Sequence, residues 1–326
     1  MNILKLTLFF ILSTLSVALL PESFILMPVL LIFSAALYVA ISAKWSFLYS
    51  VFSAAFAGII IYFMQINSMT FSAAVTAAVI FPSLSLLSAL GIYFALRQKS
   101  SVKTAVLSGM MVYLALLALA YFFYGRTFIS DIINIFEDST ADSIKAMSES
   151  LPAGTDPSIV EYLNKATGLY FENLRILAPS ILLSTFSLIS YFTLKTGNRL
   201  VRGNEIFTHV PSFSEIHAPF FLSVIAVASH FAQTSNSAFV SGLSANLFML
   251  LSVLFTLCGF SLIDFFLKRR VKPVIARAVI YLLGIIFFSI LSLYFYLLNP
   301  ILIAMFLGIL DSLFNYRLKI RIFGGK

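Results

Sequence analysis

Residues 278–298, AVIYLLGIIFFSILSLYFYLL, decide the fold, because they form 21 consecutive positions without a charged side chain. A helix that crosses the ~30 Å hydrocarbon core of a bilayer needs about 20 apolar residues. Lipid offers no water to backbone N–H and C=O groups, so a spanning segment satisfies them as a helix or within a closed barrel. This run does not alternate apolar and polar side chains as a barrel strand does. It therefore predicts a transmembrane helix.

The composition of the whole chain matches this run. The chain has 326 residues, of which 60% are hydrophobic and 10% are charged, and its mean hydropathy is +1.02. Soluble domains carry about 25% charged residues, so the composition excludes a soluble globular protein. The single cysteine, Cys258, excludes an internal disulfide framework. The three histidines show no metal-ligand spacing with it, so we predict no metal and no other cofactor.

Similar apolar runs recur along the chain and predict ten spans in one integral membrane domain, 1–326. The fold class is therefore all-α, a polytopic transmembrane helix bundle. The first run is also compatible with a signal peptide, but we interpret it as a span because no clear A-x-A cleavage site precedes Pro21. The predicted spans are roughly 4–20, 24–43, 46–64, 70–96, 104–124, 174–194, 217–232, 240–267, 277–298 and 301–316.

The charges between these spans predict the orientation. If the chain starts in the cytoplasm, the alternate, inner segments hold 17 of the 21 Lys and Arg residues. Basic residues are retained on the cytoplasmic side of a membrane, so both ends are predicted to be cytoplasmic. Nine of the 13 acidic residues fall outside. This asymmetry explains the net charge of +8 without nucleic acid, and it predicts an inner-membrane protein whose surroundings are a lipid bilayer.

The one sizeable hydrophilic segment is 125–173, on the predicted outer side. Its apolar residues recur at helical spacing, and Asp156 followed by Pro157 is typical of a helix start. We predict two or three short helices on the outer membrane surface. The segment is either a lid over an outward-facing pocket or a packed connector.

Small residues and one proline predict details of helix packing. Ser50, Ala54 and Gly58 are spaced four apart, a pattern that lets helix backbones approach closely. We interpret the stripe as internal packing rather than as a docking face for a partner membrane subunit. Pro82 lies inside the fourth predicted span and is expected to kink or interrupt it, because proline lacks the backbone N–H.

Charged residues within spans are the candidate functional residues, because charge in a membrane is costly. Asp264 lies four residues before Lys268 and is predicted to pair with it along the helix. Asp311 lies deeper, about 16 Å along the last span from Pro300 at helical rise. Asn315 follows one turn later, and Arg317 comes at the membrane edge. Asp311 is either a clasp that locks the last helix or a ligand- or proton-binding group.

Two further interpretations concern polar residues. His230, Gln233, Thr234, Ser235 and Asn236 cluster near the end of the seventh span, and we interpret them as an interfacial turn rather than a binding site.

No metalloprotease, nucleophile-elbow or phosphate-loop motif occurs. An intramembrane pair of Asp264 and Asp311 is conceivable, but it lacks glycine-rich surroundings. We therefore predict that the protein is not an enzyme.

Short motifs in the second half resemble the YybS-like family of bacterial predicted membrane proteins. The most specific is Leu307-Gly308-Ile309-Leu310-Asp311 followed by Asn315-Tyr316-Arg317, while His217 and Cys258 depart from the family pattern. The other motifs are Leu177-Ala178-Pro179, Asn198-Arg199-Leu200, Val210-Pro211-Ser212-Phe213, His217-Ala218-Pro219, Cys258-Gly259-Phe260 and Lys268-Arg269-Arg270. The resemblance implies an integral membrane protein of unassigned activity. It also implies a loose, fold-level relation to the substrate-binding subunits of energy-coupling-factor transporters.

The sequence therefore leaves two main functions open. One is a small-molecule carrier or substrate-capturing membrane subunit, with a small-molecule ligand and a partner membrane subunit. It predicts an outward cavity with polar groups from several helices. The other is a structural or scaffolding protein that acts through its basic cytoplasmic loops, with residues 211–215 as part of the functional surface.

Overall fold

The computed structural model of the protein describes residues 3–21, 26–68, 70–124, 127–150, 157–201, 204–207 and 210–317. These residues contain eleven α-helices, three short 3₁₀ turns and no strand, which confirms the predicted all-α class. The helices are α1 Ile3–Ala18, α2 Met27–Lys44, α3 Phe47–Gln65, α4 Phe71–Arg97, α5 Val102–Tyr124, α6 Phe128–Ser150, α7 Pro157–Leu200, α8 Phe220–Ala232, α9 Ala238–Arg270, α10 Val274–Ser292 and α11 Pro300–Phe314.

Ten of these helices coincide with the ten predicted spans. Seven of them, α2, α3, α4, α5, α7, α9 and α10, are long and apolar enough to cross a membrane. The other three, α1, α8 and α11, are apolar but have only 16, 13 and 15 residues. A span needs about 17 to 25 residues. The helical membrane bundle is thus confirmed, whereas the count of ten spans and the orientation stay predictions.

The described residues of the hydrophilic segment, 127–150 and 157–173, are mainly helical, but their helices are longer than expected. α6 has 23 residues. α7 begins at Pro157 and continues for 44 residues, through Pro179 and the whole predicted sixth span. The proposed cap, Asp156, lies outside the described residues. Glu137 of α6 and Arg175 of α7 form an ion pair, which ties the two helices together.

The chain divides into two compact units. The first unit comprises Met1–Phe136 and Leu182–Val210, and the second comprises Glu137–Ile181 and Pro211–Lys326. α7 contributes its first half to the second unit and its second half to the first. This division is not evident from the sequence, which predicts one membrane domain.

Small residues pack α1 to α5 in the first unit. Ser50 and Ala54 are buried, and a Cβ on Gly58 would lie 2.7 Å from the carbonyl oxygen of Ala78 in α4. The predicted small-residue stripe of α3 is therefore internal. Pro82 offers no N–H to the Ala78 carbonyl, so this oxygen faces the Gly58 backbone instead. α4 is continuous through Pro82, so the predicted interruption does not occur.

Candidate functional site

Two glycines bring α9 and α11 into direct backbone contact in the second unit. A Cβ on Gly259 would overlap the carbonyl oxygen of Ala304 and lie 2.9 Å from its Cα. A Cβ on Gly308 would overlap the carbonyl oxygen of Phe255. Since any side chain here would push the helices apart, both positions require glycine. This close crossing places residues 258–261 of α9 beside the C-terminal turn of α11.

Asp311 and Arg317 form a buried ion pair next to this crossing. Arg317 Nε lies 2.8 Å from Asp311 Oδ2, and their side chains are 7% and 2% exposed. Arg317 Nη1 donates to the Ser214 carbonyl at 2.8 Å and to Ser261 Oγ at 2.9 Å. Its Nη2 donates to the Cys258 carbonyl at 3.1 Å. Burial strengthens these charge-assisted bonds, because little water competes for the guanidinium.

Hydrogen bonds of two serines connect the region of this ion pair to the loop before α8. Ser261 Oγ lies 2.5 Å from the Phe213 carbonyl and 2.9 Å from that of Ile216. Ser312 Oγ donates to the Pro219 carbonyl at 3.0 Å. The pair therefore joins α9, α11 and the 211–219 loop. We call Asp311, Arg317, Ser261 and Ser312 the clasp cluster.

The end of α11 explains how Arg317 reaches Asp311. Asn315 adopts a left-handed conformation with φ of 48° and donates its N–H to the Asp311 carbonyl at 2.8 Å. Asparagine tolerates this conformation better than most residues, and it ends the helix. The chain then turns back, and Arg317 becomes buried instead of lying at the edge.

Two sequence expectations for this site need correction. Asn315 was expected beside Asp311 on the same helical face, but it is exposed and acts as the helix cap. Asp264 was expected to pair with Lys268, but its Oδ1 accepts from Arg277 Nη1 at 3.1 Å. Arg277 lies in the next helix, α10, so this pair joins two helices rather than two turns of one.

Asp311 also has an oxygen whose role the ion pair does not explain. Its Oδ1 is buried and has no hydrogen-bond partner among the described residues. A buried carboxylate oxygen without a partner is costly, and it offers a place for a proton or a hydrogen-bond donor. Asp311 and Asp264 each pair with a different arginine, which gives no support to a catalytic aspartyl pair. The structure pairs Asp311 with Arg317, and both roles of Asp311, as a clasp and as a ligand- or proton-binding group, stay predictions.

The polar residues after α8 form a turn, as the sequence suggested. α8 ends at Ala232 and Gln233 caps it. The Gln233 carbonyl accepts from Ser241 Oγ at 2.8 Å, and the His230 ring packs 5.0 Å from that of Phe248. Within the described part of the chain, no three His, Cys, Asp or Glu side chains are grouped so that they could hold a metal ion.

Asp311 and Arg317 were identifiable from the sequence, but the other groups that bond Arg317 were not. Ser214, Ser261 and the Cys258 carbonyl lie far from Arg317 along the chain, and polar residues of this kind occur throughout the sequence. One signal was available. Several of the motifs that carry the family resemblance, those around Phe213, Cys258-Gly259-Phe260, Asp311 and Arg317, meet at the clasp cluster.

Comparison with protein-family models identifies a family. A family model described as "Predicted membrane protein (DUF2232)" matches residues 7–312. No curated protein and no solved structure matches the chain. The family match covers nearly the whole sequence, and it includes both units and the clasp cluster up to Ser312.

Proposed function

Because the chain belongs to the DUF2232 family of predicted membrane proteins, we propose that it is a membrane-embedded subunit that presents an ordered loop surface to a partner protein. In this proposal the membrane is the bacterial inner membrane, both chain ends are cytoplasmic, and residues 211–219 face the cytoplasm. The proposal includes no catalysis, cofactor or nucleic acid. It corresponds to the structural or scaffolding function that the sequence left open.

The clasp cluster is the observation that supports this proposal. A buried ion pair is a poor route to stability, because desolvation of two charges offsets their attraction and well-packed apolar residues often serve as well. Buried polar groups can instead select one arrangement among several. Here Arg317 and Ser261 bond backbone carbonyls of Phe213, Ser214 and Ile216. They fix the course of the loop rather than simply filling space.

The loop so fixed carries side chains that a partner can reach. Glu215 and His217 are exposed, and they alternate with the carbonyls that the clasp cluster holds. The Glu215 carboxylate accepts from the Ser212 N–H at 2.8 Å, which orders the loop further. An exposed loop with a defined backbone loses little conformational entropy on binding, and this property suits a docking surface.

Site-specific photocrosslinking in native membranes tests the proposal. A photoreactive amino acid at His217 is expected to give a discrete adduct, and the same residue at Thr234, in the exposed turn after α8, serves as control. The adduct, measured relative to the amount of membrane-inserted protein, should disappear in an Arg317→Gln background. Adducts unchanged by Arg317→Gln, or no adduct specific to His217, would refute the proposal.

A second function, a small-molecule carrier or substrate-capturing subunit, is favoured by a groove in the first unit. This groove between α3 and α4 has a volume of ≈ 550 Å³ and is lined mainly by apolar residues, among them Gly58, Ala78 and Pro82. Small-molecule sites commonly have volumes of about 300 to 1,000 Å³. The absence of a helical donor at Pro82 also leaves the Ala78 carbonyl beside this groove.

A thermal-shift screen of the purified protein against vitamins, nucleosides, amino acids and lipids separates the two functions. A ligand at 100 times its dissociation constant adds about 2.7 kcal/mol of stability. If Asp311 is only a clasp, Asp311→Asn lowers the unfolding temperature and leaves any ligand-induced shift unchanged. A stable Asp311→Asn variant that loses the shift would instead make Asp311 a ligand-binding group and favour the carrier.

A further inference from the structure

A cavity of ≈ 400 Å³ in the first unit lies where α4 ends and α5 begins. Both helices are long and apolar enough to span a membrane, so their short connection lies at a membrane surface. Glu205 and Ile206 of the 3₁₀ turn Glu205–Phe207, together with Val210, form the other wall. The lining residues are Leu96, Arg97, Lys99, Ser100, Val102, Glu205, Ile206 and Val210.

The walls combine two cations, one anion and an apolar side. Arg97 and Lys99 supply donors that suit a phosphate group. Glu205 supplies a carboxylate, whose two oxygens accept several hydrogen bonds and so have room for an ammonium group beside contacts within the protein. Leu96, Val102, Ile206 and Val210 make the rest of the lining apolar. This set complements an amphipathic zwitterion that carries a phosphate and a primary amine.

The backbone at Lys99 supports a role for its side chain. Lys99 has a φ of 55°. Its N–H bonds the Leu96 carbonyl, and the Ser100 N–H bonds the Ala95 carbonyl, which together form a Schellman motif at the end of α4. Glycine is the usual residue at this left-handed position, because a side chain there is strained. A strained residue whose side chain lines a cavity points to a function for that side chain.

We propose that this cavity binds the headgroup of a phosphoethanolamine phospholipid. The phosphate lies against Arg97 and Lys99, and the ammonium lies against Glu205. The apolar wall and the position at the membrane surface favour a lipid over a soluble phosphorylated amine, because the glycerol and acyl chains then contact Ile206 and Val210 rather than water. The site belongs to the first unit and is independent of the partner surface proposed above.

Lipid retention tests the proposal. The full chain is purified in mild detergent, and mass spectrometry compares the lipids that remain bound with those of the source membrane. The wild type should be enriched in phosphatidylethanolamine. Lys99→Gly should retain about tenfold less, the effect of one lost charge-assisted bond. Its unfolding temperature should equal or exceed that of the wild type, because glycine removes the strain. This opposite change separates lost binding from lost folding.

Two further variants identify the recognised groups. Glu205→Gln should lose the preference for phosphatidylethanolamine over phosphatidylglycerol, because the partner of the ammonium is gone. Lys103→Gln is the matched control, since Lys103 is exposed but lies outside the lining residues, and it should retain lipid as the wild type does. Equal losses in Lys99→Gly and Lys103→Gln, or bound lipid that mirrors the source membrane, would overturn the proposal.

A final comparison distinguishes the source of the headgroup. Delipidated protein is titrated with soluble phosphoethanolamine and, separately, with a short-chain phosphatidylethanolamine, and thermal unfolding is followed. Stabilisation by the short-chain lipid alone supports the lipid site. Equal stabilisation by both compounds at equal concentration would overturn the lipid assignment in favour of a soluble phosphorylated amine.

Discussion

The helices of the two units are held together by different kinds of polar interaction. In the first unit, buried hydroxyl groups pair across neighbouring helices. The pairs are Ser13 with Ser53, Ser34 with Ser85, Ser42 with Ser50, and Ser88 with Tyr113. In the second unit, a charged cluster around Asp311 and Arg317 sits beside the crossing of Gly259 and Gly308.

This difference shows two ways to associate helices where hydrophobicity does not drive association. An interhelical hydrogen bond in a membrane contributes about 0.6 kcal/mol on average, so the first unit needs several, and each is dispensable. Removal of one member of a buried ion pair costs about 3 to 5 kcal/mol, so the second unit depends on a few residues. We therefore expect substitutions to be tolerated in the first unit and to be severe at the clasp cluster.

The largest effect is expected for Arg317→Leu. The change leaves Asp311 buried and without a cation, at a cost of about 3 to 5 kcal/mol, which equilibrium unfolding in detergent can measure. Lys268→Leu, at an exposed position, is the control and should change stability by less than about 0.5 kcal/mol. Arg317→Leu combined with Asp311→Leu should recover most of the loss. If the double variant is as unstable as Arg317→Leu, the ion pair is not the dominant interaction.

Gly259→Ala should be next in size, because its Cβ meets the Ala304 backbone and not a side chain that can rotate away. Overpacking costs about 1 to 3 kcal/mol, and we expect the upper end of this range. Gly284→Ala in α10 is the matched control, since a Cβ there meets nothing within 4 Å. It should be neutral or stabilise by up to about 1 kcal/mol. Similar unfolding temperatures for the two variants would contradict the close crossing.

Comparison of the ion pairs of Asp264 and Asp311 tests how burial affects the strength of an ion pair. The Asp264 and Arg277 side chains are 16% and 14% exposed, against 2% and 7% for Asp311 and Arg317. Asp264→Asn should therefore cost about 1 to 2 kcal/mol, less than Asp311→Asn measured in the same way. Equal costs would mean that burial does not set the strength of these pairs.

The smallest effect is expected in the first unit. Ser34→Ala removes a 2.8 Å bond to Ser85 and should cost about 0.6 kcal/mol. Ser34→Ala with Ser85→Ala should cost little more, because no hydroxyl is then left without a partner. A loss of several kcal/mol on either change would show that the first unit depends on single contacts as the second unit does.

The helices were predictable from local patterns, whereas their lengths and contacts were predictable only in part. Uncharged runs predicted the apolar helices, and Pro157 predicted the start of α7. The continuity of α7 from its polar beginning through Pro179 was missed, because the change in polarity at 174 resembles the start of a new element. The Asp311 site was found from charge within a span, but helical spacing suggested Asn315 as the neighbour of Asp311 and Lys268 as the partner of Asp264. Spacing could not show that a left-handed turn at Asn315 brings Arg317 back.

The sequence by itself therefore determined that lipid surrounds most of the chain and that its fold class is all-α. It also determined which residues are too polar to face lipid. These properties follow from the free-energy cost of placing charged side chains, or backbone N–H and C=O groups without hydrogen bonds, in hydrocarbon. This cost depends on each segment alone. Only the tertiary structure decided which groups meet them: Arg317 for Asp311, Arg277 for Asp264, and the loop carbonyls for Arg317 and Ser261. Such pairings join residues up to 103 positions apart, and those of the clasp cluster lie beside the close crossing of α9 and α11 that Gly259 and Gly308 permit.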